Sequence, residues 1–142
     1  IDAGGFTDRA IFGELMATYC KRRGICGIVC DGAIRDRESL AAMVDFPVYA
    51  RAATPNGPYK NGPGEINVPV TVGGKIVYPG DIVVGDQDGV LFIRPVQADE
   101  IANATRAVVE KEAAILDHIV NDGIYIRPWV AETLQSIGCT IL

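Results

Sequence analysis

A short apolar segment, Ile25–Cys30, constrains this chain most because it stops abruptly at Asp31 and Gly32. The adjacent charged residues Arg35 and Asp36 follow at once. A largely apolar run of this length predicts a buried strand, here Gly27–Asp31. Open α/β sheets place ligands in the loops beyond the carboxyl ends of their strands. Arg35 and Asp36 are therefore expected to lie where such a fold binds a ligand.

The two charged side chains suit complementary tasks. A carboxylate such as that of Asp36 binds a hard cation through oxygen, and one carboxylate completed by water suits Mg²⁺ or Mn²⁺. The planar fork of Arg35 matches the carboxylate of a small anion. The pair predicts a metal-assisted site for a small oxo acid. Two alternatives stay open. Asp36 could be the N-cap of the next helix. Arg35 could form a surface ion pair with Asp31 or Glu38.

Upstream of the strand, apolar residues recur at helical spacing over residues 10–23, and Gly24 supplies a C-terminal stop. Gly13 weakens the early helix, so the helix is expected to start at Gly13 or Glu14. Exposed backbone N–H groups would then form an anion site at the helix N-terminus, or simply an ordinary helix start. Glu14 is expected to hydrogen-bond metal-bound water, although it could merely be a favourable first-turn charge. The substrate-binding residues of this segment are Gly13, Glu14, Leu15 and Met16.

Downstream, the pattern predicts a short helix, a strand, a long Pro/Gly loop, four short strands joined by glycine turns, and two helices. This order predicts an α/β fold, a layered sandwich with a mixed central sheet, in one domain over residues 1–142. The predicted helices are Glu38–Val44, Ala98–Val120 and Pro128–Ser136, and the predicted strands are Pro47–Ala52, Val68–Val72, Lys75–Val77, Ile82–Val84 and Val90–Ile93.

Composition narrows the functional classes. A net charge of −5 argues against broad nucleic-acid binding, although the basic residues 21–23 form one local patch. No apolar run approaches the roughly 20 residues of a membrane helix, and no signal peptide is recognisable, so a cytoplasmic protein without membrane contact is expected. A hydrophobic content of 49% indicates a buried oligomer interface or a missing covering segment. The four cysteines lack metal-site spacing and predict reduced, buried thiols.

Other candidate groups carry less support. Lys60 would be a Schiff-base lysine only in an apolar pocket, and its Tyr-Lys-Asn-Gly-Pro loop predicts none. His118 falls on a predicted helix and is expected to be a surface or core residue. No Gly-x-Gly-x-x-Gly loop follows Gly4 and Gly5, so a nucleotide or S-adenosylmethionine site is poorly supported.

Glu14, followed after twenty residues by Arg35 and Asp36, resembles the acidic-x20-Arg-Asp signature of the RraA-like family. The likeness continues along nearly the whole chain. Two features depart from the family pattern: the usual N-terminal segment is expected to be missing, and Glu14 stands where characterised aldolases often have Asp. The other matching segments are Gly13–Ala17, Gly24, Gly27–Val29, Asp31–Ala33, Phe46–Val48, Gly64–Asn67, Pro79–Asp81 and Asp88–Val90.

The family includes class II 4-hydroxy-4-methyl-2-oxoglutarate and 4-carboxy-4-hydroxy-2-oxoadipate aldolases. The resemblance implies a metal-dependent lyase that releases pyruvate from 4-hydroxy-2-oxo acids and decarboxylates oxaloacetate. Asp36 would bind the metal, and Arg35 and Glu14 would be catalytic. The implied fold is the swivelling β/β/α type, assembled as a trimer or hexamer with its site between subunits. A neighbouring subunit's Glu110 or Glu112 could complete that site. Some relatives instead bind ribonuclease E, which implies an alternative role as a non-catalytic regulator.

Overall fold

The computed structural model describes residues 1–140, and the chain divides into one compact unit over Ile1–Pro95 and a second that begins at Val96. A compact unit need not be an independent domain, so the single domain expected over residues 1–142 stays a prediction. The strands are β1 (Ala10–Phe12), β2 (Ile28–Ile34), β3 (Val48–Ala53), β4 (Val70–Val72), β5 (Lys75–Val77), β6 (Ile82–Gly85) and β7 (Val90–Ile93). The helices are α1 (Glu14–Arg22), α2 (Arg37–Ala41), α3 (Ala98–Asp117) and α4 (Pro128–Ser136).

The predicted α/β class is confirmed, but the expected mixed central sheet is not what the described residues form. Strands β1, β2 and β3 make a parallel sheet in that order, whereas β4–β5 and β6–β7 are separate antiparallel pairs. Tight turns such as Gly73-Gly74 close each antiparallel pair locally, while the parallel strands need the crossover helices α1 and α2. The swivelling β/β/α layering stays a prediction.

Strand β2 is longer than predicted and continues through the Asp-Gly step to Ile34. Gly32 is not a turn residue here: a Cβ at this position would lie 2.6 Å from the Cβ of Ala3. Glycine therefore lets the N-terminal segment pass close beside β2. Because the strand ends at Ile34, Arg35 and Asp36 follow its carboxyl end directly.

The predicted helix over residues 10–23 is wrong in its first turn. Ala10–Phe12 form strand β1, and Gly13 is the extended N-cap of α1, so the alternative start at Glu14 is correct. The large apolar residues at helical spacing are not the ones that α1 buries. Leu15 is 80% exposed, whereas the small Ala17 is fully buried.

The core of the first unit joins the parallel sheet to α1 and α2. Phe46 is its largest fully buried side chain, and burying a phenylalanine contributes about 1.5–3 kcal/mol. Burial raises the pKa of the Cys30 thiol, as expected of an inert core cysteine. All four cysteines are free, but the expectation of burial is wrong for Cys26 and Cys139, which lie outside the strands and are exposed. The core cluster is Phe12, Ala17, Cys30, Ile34, Leu40 and Phe46.

The second unit is helical. Helix α3 ends at Asp117, before the predicted Val120, because a π-helical turn over His118–Asp122 follows and ends at the left-handed Gly123. No residue of α3 is buried. Among residues 1–140, no helix combines the length and apolar character needed to cross a bilayer.

Candidate functional site

The structure brings the start of α1 to the carboxyl end of β2, where Asp36 is the common neighbour. The backbone N–H of Glu14 donates to Asp36 Oδ2 at 3.0 Å. The Nε of Arg35 lies 3.6 Å from the same oxygen, which makes a loose ion pair rather than a hydrogen bond. Both side chains are partly open to solvent, Arg35 at 43% and Asp36 at 40% exposure. The backbone of Glu14 therefore meets the adjacent residues Arg35 and Asp36, although Asp36 lies 22 positions further along the chain.

Asp36 occupies the N-cap position of α2 but does not act as its cap. Its side chain makes no capping hydrogen bond to α2 and instead accepts from the first residue of α1. Its backbone is left-handed, with φ +58°, a conformation that Asp and Asn tolerate better than most residues. The N-cap alternative is therefore correct only for position. The carboxylate accepts its hydrogen bond from the N-terminus of α1 instead.

Gly13 makes this approach possible. A Cβ on Gly13 would lie 2.6 Å from Asp36 Oδ2 and 2.9 Å from the Cγ of Arg35. Such distances are shorter than side chains tolerate, so any larger residue would push the two charged side chains away from α1. Its φ of −158° is ordinary extended backbone, so space rather than conformation demands glycine here.

The first turn of α1 offers unused donors. The Glu14 N–H is taken by Asp36, but within residues 1–140 the N–H groups of Leu15 and Met16 show no hydrogen-bond partner. A shallow cavity of about 50 Å³ lies here, lined in part by Leu15, Met16 and Arg35. Free N–H groups at a helix N-terminus favour an anion. The geometry thus suits the small anionic ligand that the sequence predicts.

The donor set for a metal is a single carboxylate. Within the described chain, no three His, Cys, Asp or Glu side chains converge as a ligand group. Asp36 Oδ1 accepts no hydrogen bond from residues 1–140, whereas Oδ2 is engaged. One free carboxylate oxygen fits Mg²⁺ or Mn²⁺, which retain several waters and add ligands from the substrate. The metal role of Asp36 stays a prediction.

The remaining candidates lie elsewhere in the chain. Glu110 and Glu112 are exposed residues of α3 in the second unit. Lys60 is exposed in its loop. His118 lies in the π-helical turn with its Nδ1 2.8 Å from Asp122 Oδ2. Lys60 makes no hydrogen bond or ion pair with the group around Asp36 among the described residues, and the other three candidates lie in the second unit.

Sequence reasoning missed a second charged pair, inside β2. The buried Asp31 accepts a hydrogen bond from Arg51 Nε on β3 and another from Gly73 N at 3.1 Å. The Arg51 hydrogen bond and the Gly73 N–H hold the pKa of Asp31 below its ordinary value despite burial. Asp31 pairs with Arg51 and Arg35 pairs with Asp36, so the alternative pairing of Arg35 with Asp31 is wrong. A buried aspartate within an apolar run was the available signal.

Sequence analysis also missed Arg9. Its Nη1 donates to the carbonyl of Gly57 at 2.9 Å, and its guanidinium lies 4.0 Å from the centre of the Tyr59 ring. No periodicity or motif marks this contact, because it joins segments 48 residues apart.

Three proteins are similar to this chain in sequence or in fold. A relative from Halalkalibacterium halodurans, which bears the name 4-hydroxy-4-methyl-2-oxoglutarate aldolase as a provisional one, is 39% identical over 134 residues, or 92% of this chain. The RNA-processing inhibitor RraA from Thermus thermophilus is 39% identical over 65% of the chain, with a TM-score of 0.60. An unusual member of the RNase ES inhibitor RraA family from Streptomyces coelicolor is 32% identical over 79% of the chain, with a TM-score of 0.71.

The chain spans 63% of the length of the first relative and 56% and 57% of the two solved structures, respectively. The part of the chain that matches the family model includes the start of α1 and the residues that follow β2. The model of the RraA-like family, described as Aldolase/RraA, covers residues 1–92, which include Gly13, Glu14, Arg35 and Asp36. This chain belongs to the RraA-like family.

Proposed function

We propose that this chain carries the site of a divalent-metal-dependent lyase that cleaves 4-hydroxy-2-oxo dicarboxylic or tricarboxylic acids to pyruvate and decarboxylates oxaloacetate as a side activity. One observation carries the proposal: the Glu14 N–H and the Arg35 guanidinium both face Asp36 Oδ2. This arrangement orients the carboxylate and leaves Asp36 Oδ1 and the outer donors of Arg35 for ligands. The provisional aldolase name of the Halalkalibacterium relative supports the same reaction class.

In this proposal Arg35 receives the pyruvyl end of the substrate. Its paired N–H donors bind the carboxylate and the 2-oxo oxygen. When the bond between carbons 3 and 4 breaks, its electron pair moves into the pyruvyl fragment, and negative charge grows on the 2-oxo oxygen. A donor already aimed at such charge contributes about 10²–10³-fold in rate. Loss of CO₂ from oxaloacetate leaves the same electron pair on the same fragment, so one guanidinium serves both reactions.

The retro-aldol step also moves a proton. The 4-hydroxyl releases its proton as the departing fragment becomes a carbonyl compound, and carbon 3 of the pyruvyl fragment takes one up. Glu14 is the acidic side chain at the start of α1, one residue beyond the close approach at Gly13. We assign it to this proton, held through water.

The free Asp36 Oδ1 would hold Mg²⁺ or Mn²⁺. When bound, such an ion supplies Lewis-acid polarisation of the 2-oxo group. This chain contributes one carboxylate, and Glu110 or Glu112 of a neighbouring copy is the proposed support for the ion's water shell.

A coupled pyruvate-release assay tests the reaction. The protein is given oxaloacetate or 4-hydroxy-4-methyl-2-oxoglutarate with Mg²⁺, with Mn²⁺, or with a chelator. Turnover with either metal, absent with the chelator, is expected. Arg35→Ala should raise KM and lower kcat, while Arg22→Ala, which removes an exposed arginine at the other end of α1, should do neither. No turnover of either substrate with either metal would refute the proposal.

Binding of an RNA-processing nuclease is a second candidate, favoured by the names of the two solved structures. The exposed arginines Arg22 and Arg23 at the end of α1 offer a basic surface for an acidic partner. A pull-down with ribonuclease E tests it. Capture that survives Asp36→Ala and is lost in the double variant Arg22→Ala/Arg23→Ala would support a regulator. Absence of capture of the unaltered protein would exclude it.

We also propose a homo-oligomer, a trimer or hexamer, with the site completed between subunits. Helix α3 supports this, because none of its residues is buried although several are large and apolar. Val108 is 52% and Leu116 59% exposed, and contiguous apolar surface of this kind marks interfaces. Mass measurement of the native protein by light scattering tests the assembly, and a monomer would refute it.

A further inference from the structure

The loop after β3 passes the carboxyl end of β2 and is hydrogen-bonded to both β2 and β1. Thr54 N donates to the carbonyl of Ile34 at 2.9 Å, at the end of β2. Ala10 N, at the start of β1, donates to the carbonyl of Asn56 at 2.8 Å. The loop backbone therefore has a fixed place next to the residues that follow Ile34.

One residue of this loop, Gly57, lies next to the arginine of the site. A Cβ on Gly57 would lie 3.3 Å from Nη1 of Arg35, closer than most side-chain contacts, so the guanidinium lies beside the space that this glycine leaves open. The ion pair with Asp36, at 3.6 Å, is too loose to fix the orientation of Arg35 on its own. The position of Gly57 thus limits where the guanidinium can point.

Arg9 holds Gly57 in that position. Its Nη1 donates to the Gly57 carbonyl at 2.9 Å. The same guanidinium lies 4.0 Å from the centre of the Tyr59 ring, a cation–π distance. Arg9 therefore contacts the loop at Gly57 and at Tyr59, and a side chain at Gly57 would meet Arg35. Arg9 is half-buried, which limits the conformations open to its side chain.

We infer that Arg9 is a positioning residue that holds the Gly57 backbone against Arg35 and so sets the orientation of the guanidinium that receives the oxo acid. The inference rests on the proposed function. A misplacement of about 1 Å in a positioning group lowers turnover by about 10²-fold. Arg9 acts only through Arg35, and this gives it a distinct signature: its removal should matter only while Arg35 is present.

A double-mutant cycle tests this dependence. Arg9→Ala should lower kcat/KM for oxaloacetate decarboxylation by about ten- to a hundredfold, and Arg9→Lys should restore part of the loss because lysine keeps one donor and the charge. In an Arg35→Ala background, Arg9→Ala should cause no further loss. Arg127→Ala is the matched control, because it removes an arginine stacked on Tyr125 in the second unit. An equal loss in both backgrounds, or none in either, would overturn the inference.

A second measurement separates this inference from the proposed function. In protein carrying ¹⁵N-arginine, the Nε–H resonance of Arg35 is the one missing from the Arg35→Ala spectrum. We expect that resonance to shift in Arg9→Ala and to return toward its original position in Arg9→Lys. If the unaltered protein shows no turnover, the proposed function fails while this spectrum still decides the role of Arg9. An Arg35 resonance unchanged by Arg9→Ala rules the role out.

Discussion

Strand β2 carries one aspartate–arginine pair in its interior and another just beyond its end, and the two pairs differ in what they leave free. Asp31 is 7% exposed at its side chain and accepts hydrogen bonds from Arg51 and from Gly73 N. Asp36 is 40% exposed, and its partner Arg35 stands at 3.6 Å. The interior carboxylate is buried and held by two donors of the protein, although Arg51 itself is 46% exposed. The terminal pair keeps a carboxylate oxygen and guanidinium donors available.

The difference teaches that a charged pair in an apolar run is not by itself a site. A buried carboxylate destabilises the fold unless it is hydrogen-bonded, and both donors that hold Asp31 belong to the protein. A partly exposed pair contributes little stability but is free to bind. We therefore expect substitutions at the interior pair to change stability and substitutions at the terminal pair to change activity.

The largest expected effect is on activity, from Asp36→Asn. Asparagine tolerates the left-handed backbone and still accepts from the Glu14 N–H, so the melting temperature should stay close to that of the unaltered protein. Metal-dependent pyruvate release should fall by at least about 10²-fold, because the anionic ligand is lost. Asp45→Asn is the control, because Asp45 is also left-handed and exposed. Full activity in Asp36→Asn would show that the Asp36 carboxylate is not needed for the reaction.

Gly13→Ala should have the next largest effect, without any change of charge. The new methyl group would lie 2.6 Å from Asp36 Oδ2, so the Asp36 carboxylate must move away from α1. We expect kcat/KM to fall by about tenfold or more while thermal stability changes little. Gly62→Ala adds a methyl group with no heavy atom within 4 Å and should be silent in both measurements. If both alanine variants behave alike, close approach at Gly13 is unimportant.

At the interior pair, Arg51→Ala should act on stability. It removes the main partner of the buried Asp31, and a buried carboxylate left without that partner is unfavourable. A fall of several degrees in the melting temperature is expected by calorimetry, with kcat unchanged below the transition. Arg37→Ala, which truncates an exposed arginine of α2, should leave the melting temperature unaltered. A loss of kcat in folded Arg51→Ala would erase the distinction between the two pairs.

The smallest effect concerns acid stability. Asp31 has a folded-state pKa below its ordinary value of 3.8, chiefly because of the Arg51 hydrogen bond. Its contribution is therefore present above pH 3.8 and lost as the pH falls below that value toward the lowered pKa. Stability of Asp31→Asn should depend less steeply on pH in this range, measured by urea unfolding at a series of pH values. Asp45→Asn should keep the original slope, and a slope unchanged by Asp31→Asn would contradict the assigned pKa direction.

Local patterns predicted the elements well where one segment decides its own structure. Strands β4 to β7 and the start of α4 lie close to their predicted bounds, because glycine turns and a leading proline mark them. The pattern failed at Ala10–Phe12, where three residues with helical spacing form strand β1 beside β2. Leu15 and Ala17 show the same limit, since the large residue is exposed and the small one is buried. Packing against the sheet, rather than spacing, chose the buried face.

The site divides in the same way. Sequence alone placed Arg35 and Asp36 beyond a strand and Glu14 at a helix start, because each position is locally marked. It did not predict that the Asp36 carboxylate serves α1 instead of α2, since its donor lies 22 residues away. It missed Arg9 for the same reason. Contacts between segments far apart in the chain produce no periodic pattern in the sequence.

The hydrogen bonds of Asp31 bear on the order in which the first unit assembles. Strands β4 and β5 are joined by a two-residue turn and pair through neighbouring residues, so pairing within this hairpin needs no distant part of the chain. Its Gly73 N–H meets Asp31 across 42 residues of chain, and the carboxylate reaches Arg51 across 20. Closing the longer loop costs more chain entropy, so we expect the hairpin to join after β2 and β3 have paired around Asp31.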